Sequence, residues 1–400
     1  MDVLSQIKSI EKLPLEGRRV FLRVDFDCPM TADGFVADDA RIQAALPSIR
    51  YAIQHGAKLV LASHLGRPRG RRVPELSLAP LGERLAELLD QDVFMPEDCV
   101  GDGPRKVVME RVDGEVVLLE NLRFNPEEES NDDVFAQRLA SLADVYINDA
   151  FGTVHRAHAS VDAITRHLPT RGAGYLLTKE LQFMGKVATS NETPFVLLVG
   201  GAKLSDKIGL LNRLISRVKA ICIGGAMATT FLAAQGRRVG RSRFEADKVE
   251  VAAGLLARAK VRGVDVLLPT DVVVAAEPTE SAKTAVVAVD DIPDDRMILD
   301  IGPATAAEFA ACLATAKLVF WTGPMGMFEI APFLVGTQAV AKAISRSRAI
   351  SVVGGGDTAA AVSKVMMTPF FSHVSTGGGA ALEFLEGREL PGIEALRKGD

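Results

Sequence analysis

The sequence predicts a doubly wound α/β protein of two parallel-sheet domains, and three observations carry that expectation. The apolar runs are short, β-branched and mostly not alternating, as in strands buried on both faces. Helical periods lie between them. The 400 residues exceed one ordinary hydrophobic core, so two domains are expected.

In chain order the expected strands are "RRVFLRV", "AKLVLAS", "GEVVLLE", "ADVYIND", "PFVLLVG", "KAICIGG", "VDVLLPT", "AKLVFWTG" and "AISVVGG". "APLGERLAELL", "DVFAQRLASLA" and "SDKIGLLNRLISRV" carry the helical period. The stretch Arg171 to Pro194, helical in its middle, reads as the connector. Composition is ordinary for a globular protein, and a net charge of −5 leaves no global footprint for nucleic acid. Cys28, Cys99, Cys222 and Cys312 lie far apart with no CxxC, which reads as reduced thiols in a cytosolic protein. The N-terminus is too polar for a signal peptide, and no apolar run reaches membrane-spanning length.

In such sheets ligands bind beyond the carboxyl ends of the strands. In the first half those ends carry charge and imidazole: Asp25 and Asp27, His64 and Arg67, Arg123, Asn148 and Asp149, then Arg156 and His158. Arg41 adds a cation at a helix start. Guanidinium suits bidentate binding of phosphate or carboxylate. One such arginine alone reads as a surface ion pair; several at successive strand ends read as an anion site. In the second half the ends carry glycine: "VGGAK", "IGGAM", "WTGPMG", "VGGGDT" and "STGGGA". Glycine permits close helix–strand packing or a backbone cradle for a ligand, and five such ends favour the ligand.

"SVVGGGDTAAAV" runs from strand through glycine turn to helix start, aiming free N–H groups and a helix dipole at one point. Lys203 and Lys207, one turn apart if helical, follow a glycine turn and suit a transferring phosphate. Neither a P-loop nor a dinucleotide fingerprint is present. Asp357 reads either as a plain N-cap or as a carboxylate for Mg²⁺, and Glu329 either as a ribose acceptor or as solvated. One half that grips a small anion and another that cradles a nucleotide imply phosphoryl transfer with domain closure.

"RVDFDCP", "SHLGRP", "LLENLRF", "YINDAFGTVHRAH", "GGAKLSDKI", "GPMGMFE", "GGGDT" and "STGGGAALEFLEG", in order and nearly end to end, resemble the phosphoglycerate kinase family. The resemblance implies two Rossmann-like domains joined by a helical hinge, in a cytoplasmic monomer. The expected bounds are 1–175 for the 3-phosphoglycerate domain, 176–190 for the connecting helix and 191–385 for the nucleotide domain. Residues 386–400 would return to the first domain. The implied reaction is phosphoryl transfer between 1,3-bisphosphoglycerate and ADP with Mg²⁺, with no nucleic acid or membrane partner.

By the same resemblance Asp25, Asp27, Arg41, His64, Leu65, Gly66, Arg67, Arg123 and Arg156 would hold 3-phosphoglycerate. Gly201, Lys203, Lys207, Gly224, Gly225, Pro324, Glu329, Gly355, Gly356, Asp357 and Thr358 would hold the nucleotide, with Asp357 on the metal. Arg41, Lys203 and Gly378 would face the transferring group. Asp27 replaces the family's Asn, Thr322 an Asn and Ala381 a Ser, departures that bear on affinity and turnover. A non-catalytic binding protein and an NAD-dependent oxidoreductase are the competing classes. The retained cations weigh against the first and the missing fingerprint against the second.

Overall fold

A computed structural model describes residues 3–397, so the ends of the expected 1–175 and 386–400 segments, residues 1–2 and 398–400, lie outside the described residues. The chain divides into two units, 1–185 with 388–400, and 186–387.

Unit 1 is a six-stranded parallel sheet: β1 (Arg19–Arg23), β2 (Lys58–Ala62), β3 (Val93–Phe94), β4 (Val116–Leu118), β5 (Val145–Asn148) and β6 (Arg171–Ala173). The strand order is β3-β4-β2-β1-β5-β6. The chain builds outward from β1 in one direction and then crosses to β5 on its other side. In doubly wound sheets such a reversal marks where ligands bind, here at the carboxyl ends of β1 and β5. The strands are buried as their apolar runs require, and one face packs Val20, Leu22, Leu59 and Leu61 against Ile42 and Ile49 of the helix Ala40–Gln54. Arg23 breaks the apolar pattern: it ends β1 and is 0% exposed. The C-terminal helix Pro391–Arg397 docks on this unit, where the Gly392 N–H donates to the Val154 carbonyl at 2.9 Å.

Unit 2 repeats the plan with β7 (Phe195–Val199), β8 (Ala220–Ile223), β9 (Asp265–Leu267), β13 (Leu318–Thr322), β14 (Ile350–Gly354) and β15 (His373–Val374). These pair in the order β15-β14-β13-β7-β8-β9, all parallel, with the reversal at β7 and β13. A second sheet joins β10 (Asp271–Ala275), β11 (Ala285–Ala288) and β12 (Met297–Ile301) antiparallel. None of these three is among the strands expected from sequence; β11 is short and mostly exposed, so it has no buried apolar run to announce it.

Glycines let the ends of β7, β8 and β13 touch. The Gly200 N–H donates to the Thr322 carbonyl at 2.9 Å, Gly201 to Pro324 at 2.8 Å and Gly225 to Met325 at 2.9 Å. Gly323 has φ +89, and a Cβ there would lie 2.1 Å from the Gly200 carbonyl oxygen. Gly323→Ala therefore combines left-handed strain with a backbone clash, and should destabilise unit 2 by about 3 kcal/mol. Urea unfolding followed by fluorescence of Trp321, the single tryptophan and buried in β13, measures it. Gly254→Ala is the control. It lies in the helix Val249–Arg262 with open space around it, and should stabilise by up to about 1 kcal/mol. Equal midpoints for the two variants would contradict the steric account.

Candidate functional site

Beyond β1 the chain turns past Asp25, which is 6% exposed and accepts a hydrogen bond from Arg41 Nη1. Arg41 opens the helix Ala40–Gln54, and the Asp25 charge holds its guanidinium above the usual range. Asp27 ties β1 to the loop after β2: its Oδ1 accepts from the Gly66 N–H at 2.7 Å. Its Oδ2 lies 3.7 Å from His64 Nε2. Ser63 Oγ accepts from the Phe26 N–H at 2.8 Å, a second tie between the same strand ends. The Asn121 amide donates to the Leu65 carbonyl and Arg123 Nη1 to the Gly66 carbonyl, both at 2.8 Å. The 64–67 loop is thus pinned from β1 and from β4. Arg67, at its tip, is exposed and forms no ion pair among the described residues. Arg156, half-buried, donates through Nε to His155 Nε2 at 3.3 Å.

These groups share one field. Burial, then Arg23, then Arg156 hold Arg123 below the usual guanidinium range, with Glu129 opposing. Burial, then Arg23, Arg123, Arg41 and His158 hold His64 well below the usual imidazole range. His158 is pushed down to about 3 by burial and then by Arg123 and Arg23. Both imidazoles are therefore neutral at pH 7, and the pocket's positive charge belongs to its arginines. Beneath them Arg23 Nε donates to Ser160 Oγ at 2.9 Å, and that hydroxyl donates to Glu128 Oε1 at 2.6 Å. Glu128 is fully buried, which raises its carboxyl. Sequence reasoning missed this layer. Its signal was Arg23, a charge at the end of the buried run of β1.

Unit 2 presents a different surface. An apolar slot of about 420 Å³ runs between Met297, Leu299, Met325 and Phe328, and reaches Gly201, Gly225, Pro324, Glu329 and Asp357. Next to it β14 ends in Gly354, and Gly355, with φ +94, turns the chain into the helix Gly356–Lys364. The N–H groups of Gly356, Asp357 and Thr358 open that helix and have no intrahelical acceptor. Thr358 Oγ1 accepts from the Gly323 N–H at 2.6 Å and donates to the Gly354 carbonyl at 3.1 Å, which locks the turn. Thr322 Oγ1 is buried without a hydrogen-bond partner beside Gly355. Gly378, with φ +51, precedes a second helix start, Gly379–Glu386.

Two expectations for this surface need correction. Lys203 and Lys207 do not share a helical face: the segment before Ile208 is a turn, and the helix runs Ile208–Leu214. Lys203 is exposed, while burial lowers Lys207 against the pull of Asp206, Asp357 and Glu386. The backbone of Gly201, Gly224 and Gly225 is not bare either. Gly224 donates to Val199 at 2.9 Å, and the other two are bonded as described above. Packing claims those three amides, whereas the amides at 356–358, at a helix start, have no intrahelical acceptor. Asp300, on β12, braces the slot: its Oδ2 accepts from the Gly336 N–H at 2.7 Å, and burial raises its carboxyl to about 7.

Comparison with known proteins agrees with this architecture. The family model described as phosphoglycerate kinase matches residues 10–388. Phosphoglycerate kinase of Anaeromyxobacter dehalogenans strain 2CP-1 is 56% identical over 98% of this chain and 100% of its own. That of Pelotomaculum thermopropionicum is 50% identical over 97% and 98%. The solved phosphoglycerate kinase of Coxiella burnetii superposes with a TM-score of 0.87 at 39% identity, over 98% of this chain and 100% of its own. By its sequence, its two parallel-sheet units and these likenesses, the chain belongs to the phosphoglycerate kinase family.

Proposed function

We propose a division of labour in which unit 1 holds the three-carbon substrate and unit 2 the nucleotide. The reaction is the glycolytic transfer of a phosphoryl group between 1,3-bisphosphoglycerate and ADP, giving 3-phosphoglycerate and ATP, and the chain is an enzyme of that activity. What supports the division is a contrast. Arginines and neutral imidazoles cluster at the strand ends of unit 1, whereas an apolar slot adjoins an open helix N-terminus in unit 2.

In this reading Arg67, Arg123 and Arg156 grip the anionic groups of 3-phosphoglycerate, and His64 donates a neutral hydrogen bond. Asp25 aims Arg41 at the transferring phosphoryl group. Leu65 and Gly66 shape the loop. In unit 2 the slot takes the base, Glu329 the ribose, and the N–H groups at 356–358 with Lys207 the nucleotide phosphates. Lys203 neutralises charge that builds on the in-line transition state, supported by the helix start at Gly378. Closure of the two units around both ligands excludes water.

Among the described residues no cluster of three metal-ligating side chains forms. The slot holds one exposed carboxylate of the metal-ligating kind at a helix start, Asp357. That donor set fits Mg²⁺, which takes one or two carboxylates plus substrate phosphates and keeps several waters. The metal would be held by Asp357 and would neutralise phosphate charge. No described helix is long and apolar enough to cross a membrane. Four free cysteines, three of them buried, support a reducing cytoplasm.

Lys203→Ala should lower kcat far more than it raises the KM of either substrate, because its ammonium matters most while charge is moving. Steady-state kinetics with both substrates varied checks this; an unchanged kcat with weaker ADP binding would make Lys203 a positioning group. Asp27→Asn keeps the Oδ1 acceptor for Gly66 and removes one negative charge from an anion pocket. It should lower the KM for 3-phosphoglycerate a few-fold, for a repulsion of about 1 kcal/mol, and leave the nucleotide KM unchanged. A higher KM for 3-phosphoglycerate, measured at matched ionic strength, would mean that the carboxylate orders the arginines.

A further inference from the structure

Arg23 Nη2 lies 3.2 Å from His64 Nδ1. A guanidinium has five N–H donors and no acceptor, so the imidazole nitrogen facing it must accept. The ring's proton then sits on Nε2. A doubly protonated ring would set an Nδ1–H against an Arg23 N–H, which excludes the cation on geometry. Burial and the nearby Arg123, Arg41 and His158 disfavour that cation further.

Arg23 has little freedom to release this contact. It is 0% exposed, and its Nη1 donates to the Val24 carbonyl. Its Nε donates to Ser160 Oγ, whose own hydroxyl is committed to Glu128 Oε1. Glu128 Oε2 accepts from the Ser160 N–H at 2.9 Å, so serine and carboxylate hold each other. On the far side of the ring, Nε2 faces Asp27 Oδ2 at 3.7 Å, beyond hydrogen-bond length. The Nε2–H is left available to a ligand.

We propose that Arg23 is a positioning residue that fixes His64 as its Nε2–H tautomer, so that His64 meets the bound substrate as a neutral hydrogen-bond donor. The tautomer follows from the geometry of the unliganded protein. The second half, the donation to substrate, rests on the assignment of His64 to the 3-phosphoglycerate pocket. Arg23 touches no substrate in this scheme and acts through the ring. Ser160 and Glu128 form the buried support that keeps the guanidinium in place.

The test is the tautomer itself. Full-length protein labelled with ¹⁵N-histidine is observed without ligand at pH 7.5 by long-range ¹H–¹⁵N correlation, with the His64 signals identified by their loss in His64→Gln. Protonated Nε2 and bare Nδ1 are expected. An Nδ1–H ring, an even mixture or a doubly protonated ring would overturn the proposal without any Arg23 variant, so a misfolded variant cannot shield it. Arg23→Lys, which keeps a donor, should retain the Nε2–H form, and Arg23→Met should release it into a mixture. Arg23→Met should also raise the KM for 3-phosphoglycerate about tenfold, more than it lowers kcat, with the nucleotide KM unmoved and Arg23→Lys recovering most of the loss. A released tautomer with an unchanged KM would remove His64 from the substrate pocket while leaving the positioning role intact. An Nε2–H form that survives Arg23→Met would end that role.

Discussion

One buried guanidinium, that of Arg23, ties together the strand ends of unit 1. Arg23 sits in a strand position that the parallel sheet reserves for apolar side chains, and its charge is taken out of water. Leaving such a charge unpaired costs several kcal/mol. The Ser160 hydroxyl bridges it to buried Glu128, and the Val24 carbonyl accepts another of its donors. Burial first and the neighbouring arginines second hold His64, His158 and Arg123 below their usual ranges, and Asp25 accepts a hydrogen bond from Arg41. The pocket gathers like charge and awaits an anion.

Unit 2 is built differently, around an apolar slot and a helix start. Its strand ends approach so closely that only glycine fits at Gly323, where the neighbouring carbonyl would lie 2.1 Å from a Cβ. That approach uses up the backbone donors at Gly201, Gly224 and Gly225. In the proposed division of labour the nucleotide phosphates therefore go to the turn at Gly355 and the helix it opens, where the first amides have no intrahelical acceptor. Thr358 shows the economy of the arrangement. Its hydroxyl fastens β13 to β14 while its backbone N–H stays at the helix start.

How much of this was legible in the sequence depends on whether a group announces itself locally. The parallel strands did, because residues buried on both faces leave unbroken apolar runs such as "FVLLV" and "LVFWT", buried throughout. The "GGGDT" stretch showed its strand–turn–helix course, because glycine type and position mark the turn between β14 and the helix Gly356–Lys364. The antiparallel β10–β12 sheet did not: β11 is mostly exposed and β12 only half-buried, so neither shows a clear period. The spacing of Lys203 and Lys207 misled, since a four-residue interval marks a helical face only where a helix exists. Nor could sequence show that packing consumes the glycine amides. The Arg23–Ser160–Glu128 layer was hidden for another reason. Its members lie 32 and 137 residues apart in the chain, and only the fold makes them neighbours.

Hydrogen exchange with each ligand added alone tests the division of labour most directly. With 3-phosphoglycerate, slower exchange is expected at the pinned 64–67 loop, around Arg123 and at Arg156–Ser160, with the 355–358 turn unchanged. With ADP and Mg²⁺ the pattern should invert, and the 355–358 turn and the slot around Met325–Phe328 should become protected. Protection of the 355–358 turn by 3-phosphoglycerate, with no change in unit 1, would contradict the account.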